Sequence, residues 1–265
     1  MLSGSQSTDR ALSLLSMVGR HAGRGVQLSA LVEESGLNKP TVRRLLLALI
    51  RAGLVEQDEE SRRYFLGEES YVLGTLASPR FGLVELCLDS LARLSRKTED
   101  TSFVSVRRGF YSVCLHREEG TYPVRTHALQ VGFEHPLGVG AGSMAMLAAC
   151  SEAEVDQVME ANAPVLAERY PGLPAARVRA DLAETRAKGY SLNPGRILAN
   201  SWGIGVAIRQ PDGKPAGALS IAAIDSRMQE ARQVELAGYL TEEAAKVEQK
   251  LAAMFAARRG AAAGR

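Results

Sequence analysis

The sequence predicts an α+β protein in two parts, and three observations predict it. Residues 28–66, LSALVEESGLNKPTVRRLLLALIRAGLVEQDEESRRYFL, hold two stretches of helical spacing about a glycine, then two short strand-like runs. Residues 68–80 hold a further helical stretch that ends at a proline. From Thr101 the pattern turns to period-two alternation, interleaved with amphipathic helical segments. Runs of strands mixed with helices in this order suit an antiparallel-rich sheet covered by helices.

In chain order, residues 1–7 are small and polar and are expected to be a tail. Thr8 or Asp9 caps a helix to about Arg20, with Ala11, Leu14, Leu15 and Val18 on one face. HAGRG is a loop and Val26–Leu28 a short strand or lead-in. Ser29 is the expected N-cap of the second helix, over Ala30–Ser35. Gly36 supplies the positive φ of a sharp turn, which only glycine adopts without steric cost. Asn38 caps the third helix, where Pro40 is tolerated in the first turn. Val42, Leu45, Leu46 and Leu49 recur at spacings of three and four, so they form its buried face. Its other face carries Pro40, Arg43, Arg44, Leu47 and Arg51. LVEQ and RRYFL then form a hairpin about a DEES turn.

A basic helix after a helix and a Gly turn suits the second helix of a helix-turn-helix, which enters the DNA major groove. Lys39, Thr41, Arg43 and Arg44 would lie nearest bases or phosphates, with Ser29 and Pro40 beside them, and Arg62 and Arg63 would add phosphate contacts from the hairpin wing. Charge alone is a weak guide. Residues 1–66 carry nine Lys/Arg against seven Asp/Glu, and the remainder is balanced at 23 against 23.

The runs TDRALSLLSMV, LSALVEESGLNKPTVRRLLLALIRAGLVEQ and RRYFLG together resemble the winged helix-turn-helix of the IclR family of bacterial transcription regulators. The second half is similar to that family's GAF-like effector-binding domain. The resemblance implies a winged helix-turn-helix at residues 1–67, a linker helix at 68–80, an effector domain at 81–258 and a disordered tail at 259–265. It also implies operator DNA as a partner, a small organic acid as effector, and homodimers that pair into tetramers.

Within the second part, EESYVLGTLAS (68–78) is read as the linker helix, closed by Pro79, and 81–97 as the next helix. Strands are expected at 101–106, 110–117 and, as an extended segment, 121–131. LGVGAGSMAMLAAC starts Gly-rich and turns helical at Met144. Helices follow at about 152–160 and 175–188, strands near 204–209 and 216–223, and a terminal helix at 228–257.

GVGAGS lacks the glycine spacing of a dinucleotide fingerprint and the lysine of a P-loop. The amides of Ala141, Gly142 and Ser143 at a helix start can hold a small carboxylate, which the resemblance favours. Aligned with the family's pocket, the resemblance assigns effector contacts to His127, Ala141, Gly142, Asn193, Gly203, Ser220 and Ala222. Gly203 and Ala222 stand where other members carry polar or thiol side chains, which implies a roomier, less polar pocket and a larger, aromatic acid.

No catalytic motif is present: there is no G-x-S-x-G, no H-E-x-x-H and no paired carboxylates on a pocket strand. No cofactor and no metal site are expected, since Cys114 and His116 have no further Cys/His cluster near them. Cys87, Cys114 and Cys150 are few, odd and widely spaced, which points to a reducing compartment. With no apolar run of about 20 residues and no leader pattern, a cytoplasmic protein without membrane contact is expected. Two rival classes remain, an enzyme and a small-molecule binding protein whose winged helix serves protein contacts. A DNA binder is told from both by affinity that falls steeply with salt.

Overall fold

The computed structural model describes residues 5–21, 23–125 and 129–263, with side chains as far as residue 258. The chain divides into two compact units, residues 1–82 and 83–265. The mixed α+β architecture agrees with expectation.

The first unit holds α1 (Gln6–Arg20), α2 (Leu28–Ser35), α3 (Lys39–Arg51), β1 (Val55–Gln57), β2 (Tyr64–Leu66) and α4 (Glu68–Phe81). Leu14, Val18, Leu31, Val42, Leu46 and Val55 form its core, all of them buried. Gly36 ends α2 in the left-handed region at φ 66°, and Asn38 Oδ1 accepts from the Thr41 amide at 2.9 Å to cap α3. Ser29 is not a cap. Helix α2 begins at Leu28, because Val26 bridges Tyr64 and the Leu31 amide already reaches Gln27 O. Likewise α1 starts at Gln6, after Ser5, so Thr8 and Asp9 fall inside its first turn.

Pro79 does not close the linker helix. It lies within the last turn of α4, where its missing N–H removes one bond, and Gly82 N donates to Ser78 O to end the helix. None of the side chains of α4 is buried within its unit.

The second unit follows as α5 (Leu83–Thr98), β3 (Thr101–Arg108), β4 (Tyr111–Glu118), β5 (Glu134–Pro136), α6 (Ala141–Ala148), α7 (Glu152–Arg169), α8 (Ala175–Lys188), β6 (Ser191–Pro194), β7 (Ser201–Arg209), β8 (Pro215–Ile224), a 3-10 turn at Asp225–Arg227, and α9 (Glu230–Ala263). The strands form one antiparallel sheet in the order β5-β4-β3-β8-β7-β6. One face carries Val104, Ile204, Val206, Ile208, Leu219 and Ile221 against Leu91 and Leu94 of α5 and Leu236, Leu240 and Val247 of α9. The opposite face is built of small residues, with Gly203, Gly205 and Ala207 in register with Ala222, Ser220 and Ala218. Helix α6 lies over that face.

The segment 121–131 is not a strand among its described residues. Tyr122 N donates to Glu99 O, and the Arg227 guanidinium stacks 3.9 Å from the Tyr122 ring, which holds this stretch away from the β4 edge. The pairing passes instead to residues 132–136, through Cys114 N to Phe133 O and then β5. Helix α6 starts three residues before Met144, α7 runs on through Pro164 to Arg169, and β6 is a strand beyond those expected. Helix α9 continues to Ala263, so the stretch expected as a tail is helical in its described part. Among the described residues no helix is long and apolar enough to cross a membrane.

Candidate DNA-binding surface and effector pocket

On the first unit, capping by Asn38 and burial of Val42, Leu45, Leu46 and Leu49 leave Lys39, Pro40, Arg43 and Arg44 exposed, with Thr41 half-buried. Ser29, Lys39, Arg43 and Arg62 line one groove together with Gln57 and Ser61. Pro40, Thr41 and Arg44 lie outside that groove. So does Arg63, which is half-buried and donates from Nη1 to Gly25 O at 3.1 Å. The wing turn is closed by Asp58, whose Oδ1 accepts from the Ser61 amide at 2.7 Å and its hydroxyl at 2.5 Å. The hydroxyl bond, then the amide bond, hold the Asp58 carboxyl below its ordinary pKa. Arg62 follows at φ 58°, a left-handed conformation that side chains seldom adopt, and Gln57 Nε2 steadies it by donating to Arg62 O at 3.0 Å. Gln57 and Ser61 had no sequence signal, since only the hairpin's register brings them to the groove.

On the second unit, the small-residue face of the sheet and the first turn of α6 line an open cavity of about 550 Å³ when the solvent at its mouth is counted. Ala141, Gly142, Ser143, Asn193, Gly203, Ser220 and Ala222 all line it. His127 lies outside the described residues. Helix α6 sits low because Ser191, fully buried, places its hydroxyl 2.6 Å from Ala141 O and 3.1 Å from Gly205 O. Ala141, Gly142 and Ser143 are the first three residues of α6, whose amides have no partner within the helix. The Ser143 hydroxyl is engaged elsewhere, accepting from Gly138 N at 2.9 Å and donating to Pro136 O at 3.2 Å. That residue therefore offers the cavity its amide alone. The room left at Gly203 is partly taken by the helix, as a Cβ there would meet Ala141 Cβ at 3.3 Å.

The described lining carries no Asp, Glu, Lys or Arg. Residues without sequence signal also line it, among them Phe103, Ser105, Ser112, His135, Ile197 and Trp202. His135 pairs across the sheet with Ser112, and its Nδ1 is 3.0 Å from the Tyr170 hydroxyl. Burial, and then the charge of Arg169, push the His135 imidazole down to about 4, so it is neutral at pH 7. An anion in this cavity would meet amides and hydroxyls, a preorganised neutral cradle, rather than a counter-charge. Among the described residues no group of three His, Cys, Asp or Glu side chains could hold a metal ion.

The family model for the IclR helix-turn-helix domain matches residues 7–59, and that for the bacterial transcriptional regulator IclR C-terminal matches residues 77–249. The chain is 25% identical to the HTH-type transcriptional regulator BhcR of Paracoccus denitrificans, over 86% of this chain and 81% of that protein. It is similar to the crystal structure of an IclR transcriptional regulator from Alicyclobacillus acidocaldarius, at 25% identity and a TM-score of 0.76, over 93% of this chain and 98% of that one. An IclR homologue from Microbacterium hydrocarbonoxydans, solved in complex with 4-hydroxybenzoate, has the same fold at 20% identity and a TM-score of 0.73, over 93% of this chain and 99% of that one. With family models matching both its helix-turn-helix and most of its second unit, the chain belongs to the IclR family of DNA-binding bacterial transcriptional regulators.

Proposed function

We propose that the cavity beneath α6 binds a small organic acid, aromatic in character, and that its occupancy changes the affinity of the winged helix-turn-helix for operator DNA. The observation that carries this is the convergence of seven residues, from Ala141 to Ala222, on one uncharged cavity at a helix N-terminus. The complex of the Microbacterium homologue with 4-hydroxybenzoate supports an aromatic acid as the chemical class. Operator contact falls to Lys39, Pro40, Thr41, Arg43 and Arg44 on α3, with Ser29 and wing residues Arg62 and Arg63 beside them. Because α4 buries no side chain in its own unit and exposes Tyr71, Leu73, Leu76 and Phe81, it is read as a homodimer contact. The dimer presents two α3 helices to a two-fold operator, and dimers pair into tetramers.

Thermal melting against aliphatic and aromatic carboxylates tests the effector reading. A ligand at a hundredfold excess over its dissociation constant adds about 2.7 kcal/mol to stability. The expected result is a selective rise in melting temperature that is lost in Ser220→Ala and Gly142→Val, with a matching shift in operator affinity. A ligand that stabilises the protein and leaves operator affinity unchanged overturns the regulatory link.

A further inference from the structure

The turn between β6 and β7, residues 195–200, forms one side of the cavity through Ile197. Its own bonds are local: Gly195 N donates to Asn193 O at 3.0 Å, Arg196 N to Asn193 Oδ1 at 3.2 Å, and Ser201 N to Leu198 O at 3.1 Å. Leu198, Ala199 and Asn200 are exposed. Ile197 reaches across to the turn before α6, where its Cδ1 lies 3.2 Å from the place a Cβ on Gly140 would occupy. The charged tie is the ion pair of Arg196 with Asp181 of α8, whose side chains are 17% and 10% exposed. At that burial, solvent screens the pair little, and removing one partner strands the other charge. Asp181 also faces Arg177 at 3.5 Å, so without the carboxylate two guanidinium groups would be left together.

We infer that Arg196 and Asp181 are positioning residues of the cavity: their ion pair latches the β6–β7 turn so that Ile197 closes the wall and Asn193 holds its place in the lining. This rests on reading the cavity as the effector site and adds how it is opened. When the latch parts, the turn swings outward to hydrate Arg196, Ile197 leaves the Gly140 turn, and the mouth of the cavity widens. Occupancy and latch closure are then linked, because a ligand favours the closed turn by as much as it binds that state better.

The test needs no effector. Trp202 is the sole tryptophan of the chain; its side chain packs on the α5/α9 side of the sheet, and its Nε1 lies 3.5 Å from where a Cβ on Gly195, the first residue of the turn, would stand. Its quenching by acrylamide therefore reports whether the turn is closed. Arg196→Ala and Asp181→Asn are each expected to raise the quenching constant about twofold, and the double variant no further, since both break one interaction. Arg196→Lys, which keeps the charge, restores most of the protection, and Arg177→Ala leaves quenching at the wild-type value. Circular dichroism checks that each variant is folded. Ile197→Ala removes the plug and keeps the ion pair, and it too should raise quenching. A rise with Ile197→Ala alone, or wild-type quenching throughout, overturns the latch. Should the latch variants fail to fold, amide exchange across 195–200 in Ile197→Ala decides: wild-type protection with the ion pair intact supports a turn held by the latch, and faster exchange shows that Ile197 packing held it and overturns the latch. Failure of the effector screen would leave these outcomes unaltered, so the two readings fail separately.

Discussion

Gly205 passes so close beneath Ala141 that a Cβ on it would lie 2.9 Å from the Ala141 carbonyl carbon and 2.9 Å from the Gly142 amide nitrogen. Both are backbone atoms, which cannot rotate aside, so the glycine sets how near α6 sits to the sheet. Gly205→Ala is expected to cost about 1–3 kcal/mol, as overpacking of a tight core does. Urea denaturation checks this. Gly203→Ala, whose tightest approach would be to the Ala141 methyl at 3.3 Å, should cost less. Equal costs would show that the helix can retreat from the sheet at both positions.

The arginines of the first unit divide by exposure. Arg43 and Arg44 are exposed on α3, and loss of either by alanine substitution should weaken binding by about 1–3 kcal/mol if it is bidentate to guanine. Arg62→Ala should weaken all sequences alike and lower the slope of log affinity against log salt by about one. Arg63, tied to Gly25 O, should perturb the wing's stability more than the salt slope. Anisotropy titrations of an in vitro selected operator duplex at several salt concentrations separate these outcomes. Unchanged affinity in both Arg43→Ala and Arg44→Ala would remove α3 from the groove.

His135 gives the fold a dependence on mild acid. Its folded pKa, lowered to about 4 by burial and then by Arg169, lies below the value of 6.5 it takes when unfolded. Between those values the unfolded chain binds the extra proton, so stability rises with pH there. From pH 7 to below pH 4 the imidazole should remove about 3 kcal/mol. His135→Gln should flatten that slope between pH 4 and 6.5 in urea titrations. Tyr170→Phe, which removes the 3.0 Å hydroxyl partner, should cost about 1 kcal/mol at pH 7.

The exposed apolar side chains of α4 predict how assembly fails. Leu76, 73% exposed, and Leu73, 50% exposed, should be covered in a homodimer. Leu73→Asp with Leu76→Asp should halve the mass of the assembly by sedimentation, with its secondary structure intact. An assembly of unchanged mass in both substitutions would place the contact elsewhere.

The winged helix-turn-helix was legible because its determinants are local. The i, i+3 and i+4 spacing of Val42, Leu45, Leu46 and Leu49, the Asn38 cap and the Gly36 turn all act within a few residues. Helix ends were read less well where a distant partner intervened, as when the Val26–Tyr64 bridge moved the start of α2 ahead of Ser29. The Gly-rich turn of the pocket could be seen for the same local reason, and the family resemblance supplied Asn193, Gly203, Ser220 and Ala222.

What only the tertiary structure decided is which residues face one another across long separations. His135 reaches Ser112 through strand pairing, Ser191 reaches Ala141 50 residues away, and Arg196 finds Asp181 on another element. None has a periodicity of its own to announce it: a strand of four residues such as β6 is too short for alternation to show. The sequence by itself determined the helices, the turns and the family. Packing of α6 onto a face of glycine, alanine and serine decided that a cavity would lie there, because small side chains leave room whose shape depends on what is folded over them.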